Sequence, residues 1–321
     1  MSSTLAYSTA VARVFKSFVL TKELASELLT MTDWRDAVNL LKDRGYMSEV
    51  PDKIEDVEKI LKQRAINFLN KIRGYVSNIK VSADILDLYI YLFSLDELES
   101  LISSIITGIK LTNNFLLVKD LVEANPQTIE DLINFSKGII SEALKFALSK
   151  SNKKTPSEIN SLLEFYFINE LTKIINEFKG DWKTKAENIV CTYKDYYSIM
   201  LSYRLHIVEN VTCKVDESVL KDISVARSDK EVIDTLARTI YAKKLDLNDI
   251  YEALSSLYHL ARVNSRKSSI EAFMGSPFTP ITTLAIAELI RLDYEDLIMI
   301  INGIKLGITE KVKKMISFEF L

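Results

Sequence analysis

Ser94-Leu95-Asp96-Glu97-Leu98, Thr192-Tyr193-Lys194-Asp195-Tyr196 and Asp293-Tyr294-Glu295-Asp296-Leu297 share one pattern. Each opens on a residue able to cap a helix, has an acid three positions on, and has an apolar residue directly after it. Such an acid can reach back to the N–H of the capping residue, as in a capping box. The spacing therefore predicts a helix start at each stretch. The opening residues stand at 94, 192 and 293, which is 98 and then 101 residues apart. Counted from them, the same five positions (+4, +7, +8, +11 and +15) are apolar in every stretch. They are Leu98, Leu101, Ile102, Ile105 and Ile109, then Tyr196, Ile199, Met200, Tyr203 and Ile207, then Leu297, Ile300, Ile301, Ile304 and Ile308. These positions form one helical stripe. The pattern predicts three copies of one helical unit, with a period far longer than the roughly 33–47 residues of tetratricopeptide, ankyrin or HEAT repeats.

Working outward, each motif helix is expected to follow another apolar helix (83–93, 186–191 and 284–292) and to form a hairpin with it. A weaker echo pairs Thr32-Asp33-Trp34, ahead of Ala37, Leu40 and Leu41, with Ser228-Asp229-Lys230, ahead of Ile233, Leu236 and Ala237. Asp33 reads as an N-cap for a helix that stops near Gly45, and residues 5–20 as a helix with Val11, Val14, Phe15 and Phe18 on one side. Ser82 is expected to cap a helix, 115–123 and 128–148 to be helical, and 150–156 to be a loop.

Composition points the same way. The 321 residues include only 8 glycines and 5 prolines. An all-β fold needs many Gly, Asn and Pro turns, and a doubly wound α/β fold needs glycine where strands meet helices. The prolines, at 51, 126, 156, 277 and 280, all stand beside expected helix starts, where a missing N–H does no harm. The formal net charge of −3 lacks the basic excess of a dedicated nucleic-acid binder. The densest basic run, Arg262 to Lys267 with Arg266, reads as a solvated loop. Cys191 and Cys213 form no CxxC pair and read as scattered thiols or small buried residues, with a disulfide between them left open. The N-terminus lacks the pattern of a secretory signal, and no apolar run reaches the roughly 18–20 residues of a membrane span. The chain is thus expected to be soluble, although it could dock on a membrane complex.

Catalytic signatures are sparse. Neither GxxxxGK[ST] nor GxGxxG occurs. His206 and His259 have no HExxH or ExxH context, and His206, at +14 of the second stretch, reads as a helix-face residue. Asp293, Glu295 and Asp296 could form a magnesium-binding acidic motif, but acids that open a helix are also favoured by its dipole. Tyr193, Tyr196, Tyr197 and Tyr203 could stack on bases, yet at helical spacing they read as packing surface. No catalytic, cofactor-binding or metal residue is expected.

Longer stretches resemble a known family, the C subunit of archaeal-type ATP synthases, equivalent to subunit d of the vacuolar ATPase. Tyr7 to Arg13, with Ala10 and the Ala12-Arg13 pair, is similar to its opening helix, and Asp33-Trp34-Arg35-Asp36-Ala37-Val38-Asn39-Leu40-Leu41 to Tyr46 to its next one. The end resembles its closing signature, through Phe278, Ala287-Glu288-Leu289, Leu297 to Gly303, and Gly307-Ile308, preceded by Pro277. Two departures stand out. Asp296 occupies a position where the family often has Asn, and Asn302 one where it often has Arg.

The resemblance implies an all-α fold of three similar domains arranged as a funnel about a pseudo-threefold axis. Boundaries at 1–110, 111–213 and 214–321 fit that expectation. It also implies a non-catalytic subunit without a cofactor or small-molecule substrate. Such a subunit sits peripherally on the cytoplasmic face of the membrane and partners the rotor-ring and central-stalk subunits of a rotary proton-translocating ATPase. A helical adaptor outside any rotary motor, or a metal-dependent all-α enzyme using the acids of the third stretch, are the alternatives.

Overall fold

A computed structural model describes residues 2–109, 115–209, 211–276 and 278–319. In chain order its helices are α1 (Ser2–Lys16), α2 (Lys22–Leu29), α3 (Trp34–Asp43), α4 (Ile54–Tyr75), α5 (Lys80–Thr107), α6 (Lys119–Glu123), α7 (Ile129–Phe135) and α8 (Gly138–Lys150). Then come α9 (Pro156–Asn176), α10 (Asp181–Leu205), α11 (Glu217–Val225), α12 (Asp229–Leu236), a 3-10 turn at Ala242–Lys244, α13 (Ile250–Ala272), α14 (Ile281–Leu306) and α15 (Thr309–Val312). No β-strand occurs among the described residues. The all-α expectation therefore holds.

Several helix ends follow the sequence reading. Asp33 caps α3, accepting from Arg35 N at 2.8 Å, and Gly45 ends it at φ +78°. Thr155 and Pro156 open α9 after the polar loop, and Ser228 caps α12 by accepting from Glu231 N. Other boundaries move. Ser82 caps nothing: it lies inside α5, buried, and its Oγ accepts from Thr283 Oγ1 at 3.2 Å. The stretch 128–148 is broken at Ser136-Lys137 into α7 and α8, and only 119–123 of the next expected helix forms, as α6. Neither cysteine is a free thiol: both are disulfide-bonded. Pro277 lies outside the described residues.

The chain divides into two compact units. The first comprises Met1–Leu86, Lys179–Thr192 and Tyr258–Leu321. Its centre is α14, which packs against α1, α2, α3, α4 and α15. Almost every residue from Ile281 to Asp293 is buried, which explains a sequence that is apolar on all sides there. Leu28, Ala37, Leu41, Val57 and Leu61 meet Leu297, Ile300, Ile301, Ile304 and Ile316 in one core. Each of these Leu, Ile and Val side chains contributes about 1.5–3 kcal/mol of transfer free energy when fully buried.

The second unit comprises Asp87–Phe178 and Tyr193–Leu257. Here α8 packs on α9, and α11 on α12. Aromatic rings fill the space between α5 and α9. Tyr89 meets Phe167 edge-on at 5.3 Å between centroids, and the Tyr91 hydroxyl donates to Leu163 O at 2.9 Å.

Candidate functional site

The three motif stretches do not begin helices. Ser94, Thr192 and Asp293 all lie in the interior of long helices, α5, α10 and α14, each 25 to 28 residues long. The apolar segments expected to form separate preceding helices are the first halves of these same helices. The capping reading fails because a capping residue needs a non-helical backbone, and nothing at these points interrupts the helix. The acids at +3 are nevertheless alike in a way the sequence did not reveal.

All three carboxylates are buried, and each receives backbone N–H groups from chain about twenty residues further on, the separation spelled out by the residue numbers. Glu97 Oε2 accepts from Leu116, Leu117 and Val118 N at 2.9, 2.8 and 3.2 Å. Asp195 Oδ1 accepts from Cys213 N at 2.7 Å, and its Oδ2 accepts from Lys214 N at 3.0 Å and from the Tyr241 hydroxyl at 2.6 Å. Asp296 Oδ1 accepts from Ser317 N at 3.0 Å. A carboxylate deep in a protein is costly unless hydrogen-bonded or paired. Asp195 and Asp296 are both 0% exposed, so these contacts are what their burial requires. In each case a long helix grips the chain that has just left its own C-terminus.

The helix ends agree as well. The residue at +14 has a left-handed backbone in all three: Gly108 at φ +72°, His206 at +57° and Gly307 at +68°. Such a residue ends a helix by turning its N–H onto earlier carbonyls. Gly108 N donates to Ser104 O, and His206 N to Ser202 O, while Gly307 and Ile308 form the double bond of a Schellman motif to Ile304 O and Gly303 O. His206 is thus not on a helix face; it takes a turn position where the other two stretches have glycine. The common helix end also corrects the apolar stripe. Positions +4 to +8 are buried apart from the half-buried Tyr196, but +15 has left the helix, and Ile109 and Ile308 are exposed.

The third acid belongs to a larger ionic network within the first unit. Arg262 and Arg266 do not lie in a solvated loop. They are one helical turn apart on α13, each 2% exposed, and only Lys267 of that run reaches solvent. Arg262 Nη2 donates to Asp296 Oδ1 at 2.5 Å and its Nη1 to Met315 O at 2.7 Å. Arg266 Nη2 bridges Asp293 Oδ1 at 2.8 Å and Asp296 Oδ2 at 3.2 Å, and its Nε donates to Ser317 Oγ at 2.5 Å. Asp293 Oδ2 accepts from Leu20 N at 2.6 Å, which ties the turn between α1 and α2 to the same cluster. Burial pushes the Asp293 carboxyl up to about 6, against the opposing pull of Arg266 and the Leu20 N–H. Arg291 pairs with Glu288 at 2.7 Å and with Glu295, and Ser265 Oγ donates to Glu288.

The acids of the third stretch are thus committed to arginines. Among the described residues, no group of three or more His, Cys, Asp or Glu is arranged to hold a metal ion. His259 Nδ1 hydrogen-bonds to Met315 O at 3.1 Å. Burial holds its imidazole below the ordinary value. The tyrosines pack as expected: Tyr193 is buried, Tyr196 meets Tyr197 edge-on at 5.2 Å, and the Tyr203 hydroxyl donates to Asp229 at 3.0 Å. The sequence reading missed Arg262, Arg266, Ser317 and Tyr241. The only signal for the arginines was their four-residue spacing, set against acids three apart on a later helix.

A family model described as the ATP synthase (C/AC39) subunit matches residues 8–315. The chain belongs to this family. The match spans the long helices, their carboxylates and both arginines of the network, and it stops at Met315, whose carbonyl accepts from Arg262, two residues before Ser317. No curated protein matches the chain. Family membership makes the chain a subunit of a rotary ATPase of the V or A type. No helix among the described residues is long and apolar enough to cross a membrane.

Proposed function

We propose that this chain is the non-catalytic subunit that joins the central stalk of a rotary proton-translocating ATPase to its membrane rotor ring. In this reading it docks peripherally at the cytoplasmic face and takes no cofactor, nucleic acid or small-molecule substrate. The observation that carries the proposal is the family match over residues 8–315. The helices add physical support. A torque-transmitting part must twist little, and close-packed interiors resist deformation. Each long helix here is about 40 Å at 1.5 Å per residue, and each fastens the segment that follows it through a buried carboxylate.

We further propose that residues 1–110, 111–213 and 214–321 are three similar helical units about a pseudo-threefold axis. The shared helix end at +14 and the shared grip of the +3 acid favour that division. The pairing of Asp293, Glu295 and Asp296 with arginines speaks against a metal-dependent enzyme, because the oxygens a cation would take are already engaged.

Reconstitution tests the role. Purified chain is mixed separately with the rotor-ring subunits in detergent and with the central-stalk subunits, and binding is followed by co-sedimentation. Stable interfaces bury on the order of 1,000 Å² or more, so the chain should co-sediment with each partner. If neither partner is retained, the coupling role is wrong and a helical adaptor outside the motor becomes the better reading.

A further inference from the structure

Helix α1 has two working faces. Ser8, Thr9, Ala12 and Phe15 are buried, and α1 packs on α14 and α4. The opposite face carries Ser3, Tyr7, Ala10 and Val14, all exposed, at steps of four, three and four residues. Tyr7 is 50% and Val14 61% exposed. The sequence suggested that Val14 would share a side with Phe15, and the structure separates them. Steps of four and three mark the seam of two paired helices, and the positions beside that seam set the partner by charge. Arg13 is next to Val14 there. Arg13 donates to Phe273 O at 3.1 Å and Lys16 lies over the Phe273 ring, but neither has a carboxylate partner among the described residues. Together with the bond from Thr9 Oγ1 to Thr279 O at 3.2 Å, these contacts hold Phe273 and Thr279 beside α1.

We infer that the outer face of α1 is a docking seam for an amphipathic helix with acidic flanking residues, carried by another subunit of the complex. This rests on the proposed stalk role. Pairing with α1 of a second copy fits poorly, because α1 contains no Asp or Glu to face Arg13 and Lys16. A lipid surface fits poorly too. A helix that lies on a membrane presents a broad apolar face, whereas on this face Tyr7 and Val14 are the only large apolar residues and stand in single file.

The test uses the full chain expressed within its ATPase complex. Val14→Asp and Arg13→Glu with Lys16→Glu are compared with Val225→Asp, a control at a residue 74% exposed in the other unit. Circular dichroism confirms folding. The α1 variants should lose at least tenfold in recovery with the complex while the control does not. A photoreactive benzoylphenylalanine at position 14 should cross-link to a helical segment of another subunit. Full recovery of Val14→Asp, or cross-linking to lipid or to a second copy of the chain, overturns the seam. If wild-type chain recovers no complex at all, the stalk role falls and the seam with it; wild-type recovery matched by every variant removes the seam alone.

Discussion

Replacing Asp195 by Asn should loosen the amides of 213–215, which the disulfide at Cys213 still tethers, while leaving α10 intact. The carboxylate is 0% exposed and accepts from three backbone N–H groups, those of Cys213, Lys214 and Val215, and from the Tyr241 hydroxyl. An Asn side chain keeps one acceptor oxygen and turns an NH₂ group towards the remaining donors. Hydrogen bonds to a charged group contribute about 1.5–3 kcal/mol each, and a buried donor left unpaired costs about 1–3 kcal/mol. Because these bonds share two oxygens, their losses do not add, and a net of about 3 kcal/mol is the reasonable figure. At 1.4 kcal/mol per decade that is roughly a hundredfold in the local opening constant. Amide hydrogen exchange measures it directly, since it resolves local opening from global unfolding. The amides of 213–215 should exchange about a hundredfold faster in Asp195→Asn, and those of 116–118 should not change. Glu97→Gln should give the reciprocal result. Unchanged protection at 213–215 in a folded variant would refute the claim that this carboxylate holds the returning chain.

Other outcomes follow from single residues. Asp293 has a folded-state value raised to about 6, above the ordinary 3.8, so the folded protein binds its proton more tightly than the unfolded chain does. Its contribution to stability should therefore rise as pH falls from 7 through 6 towards 4. In urea titrations Asp293→Asn should lack that gain, and parallel midpoints for the two proteins would show the sign to be wrong. Gly303 faces Val312 so closely that an added Cβ would collide with it. Gly303→Ala should lower stability by about 1–3 kcal/mol from overpacking, despite a gain in helix propensity of up to about 1 kcal/mol; a raised thermal midpoint would contradict this. His206 combines a left-handed backbone with a 2.7 Å bond from its ring to Ser224 O. His206→Ala keeps the strain and loses the bond, for about 1–2 kcal/mol, whereas His206→Gly loses both and should be nearly neutral. Equal destabilisation by the two in denaturant titrations would rule out backbone strain at this site.

What the sequence made legible was periodicity. Apolar residues at steps of three and four gave the helices, and Asp33, Gly45, Thr155 and Ser228 marked ends because their local chemistry is self-contained. The acids at +3 were legible as a repeat but misread in mechanism. A capping box and an acid inside a helix look alike in sequence, and the difference depends on donors about twenty residues away. Arg262 and Arg266 failed for a related reason. A basic run is normally solvated, and only the late arrival of Asp293 and Asp296 on α14 makes burial affordable. Val14 was placed on the wrong face because a helix of this length with apolar residues on two sides does not say which side meets the core.

The buried charges also bear on stiffness. Well-packed apolar residues often equal or exceed buried ion pairs in stability, so stability alone does not account for the charges between α13 and α14. The network does something an apolar contact cannot: it fixes register. Arg266 reaches Asp293 and Asp296 together, and Ser317 reaches Asp296 through both its N–H and its hydroxyl. Sliding α13 along α14 by one turn would strand at least one charge without a partner, at a cost of about 3–5 kcal/mol. Non-directional contacts allow small slips under load, and directional ones resist them until they break. Replacing Arg266 by Met keeps much of the volume but takes the cation from Asp293 and leaves Asp296 with Arg262 alone. If register is what the network provides, Arg266→Met should loosen protection across α13 and at Ser317 even where the variant remains folded at 25 °C. Protection lost only at Ser317, with α13 unchanged, would reduce the network to a fastening for the C-terminal segment.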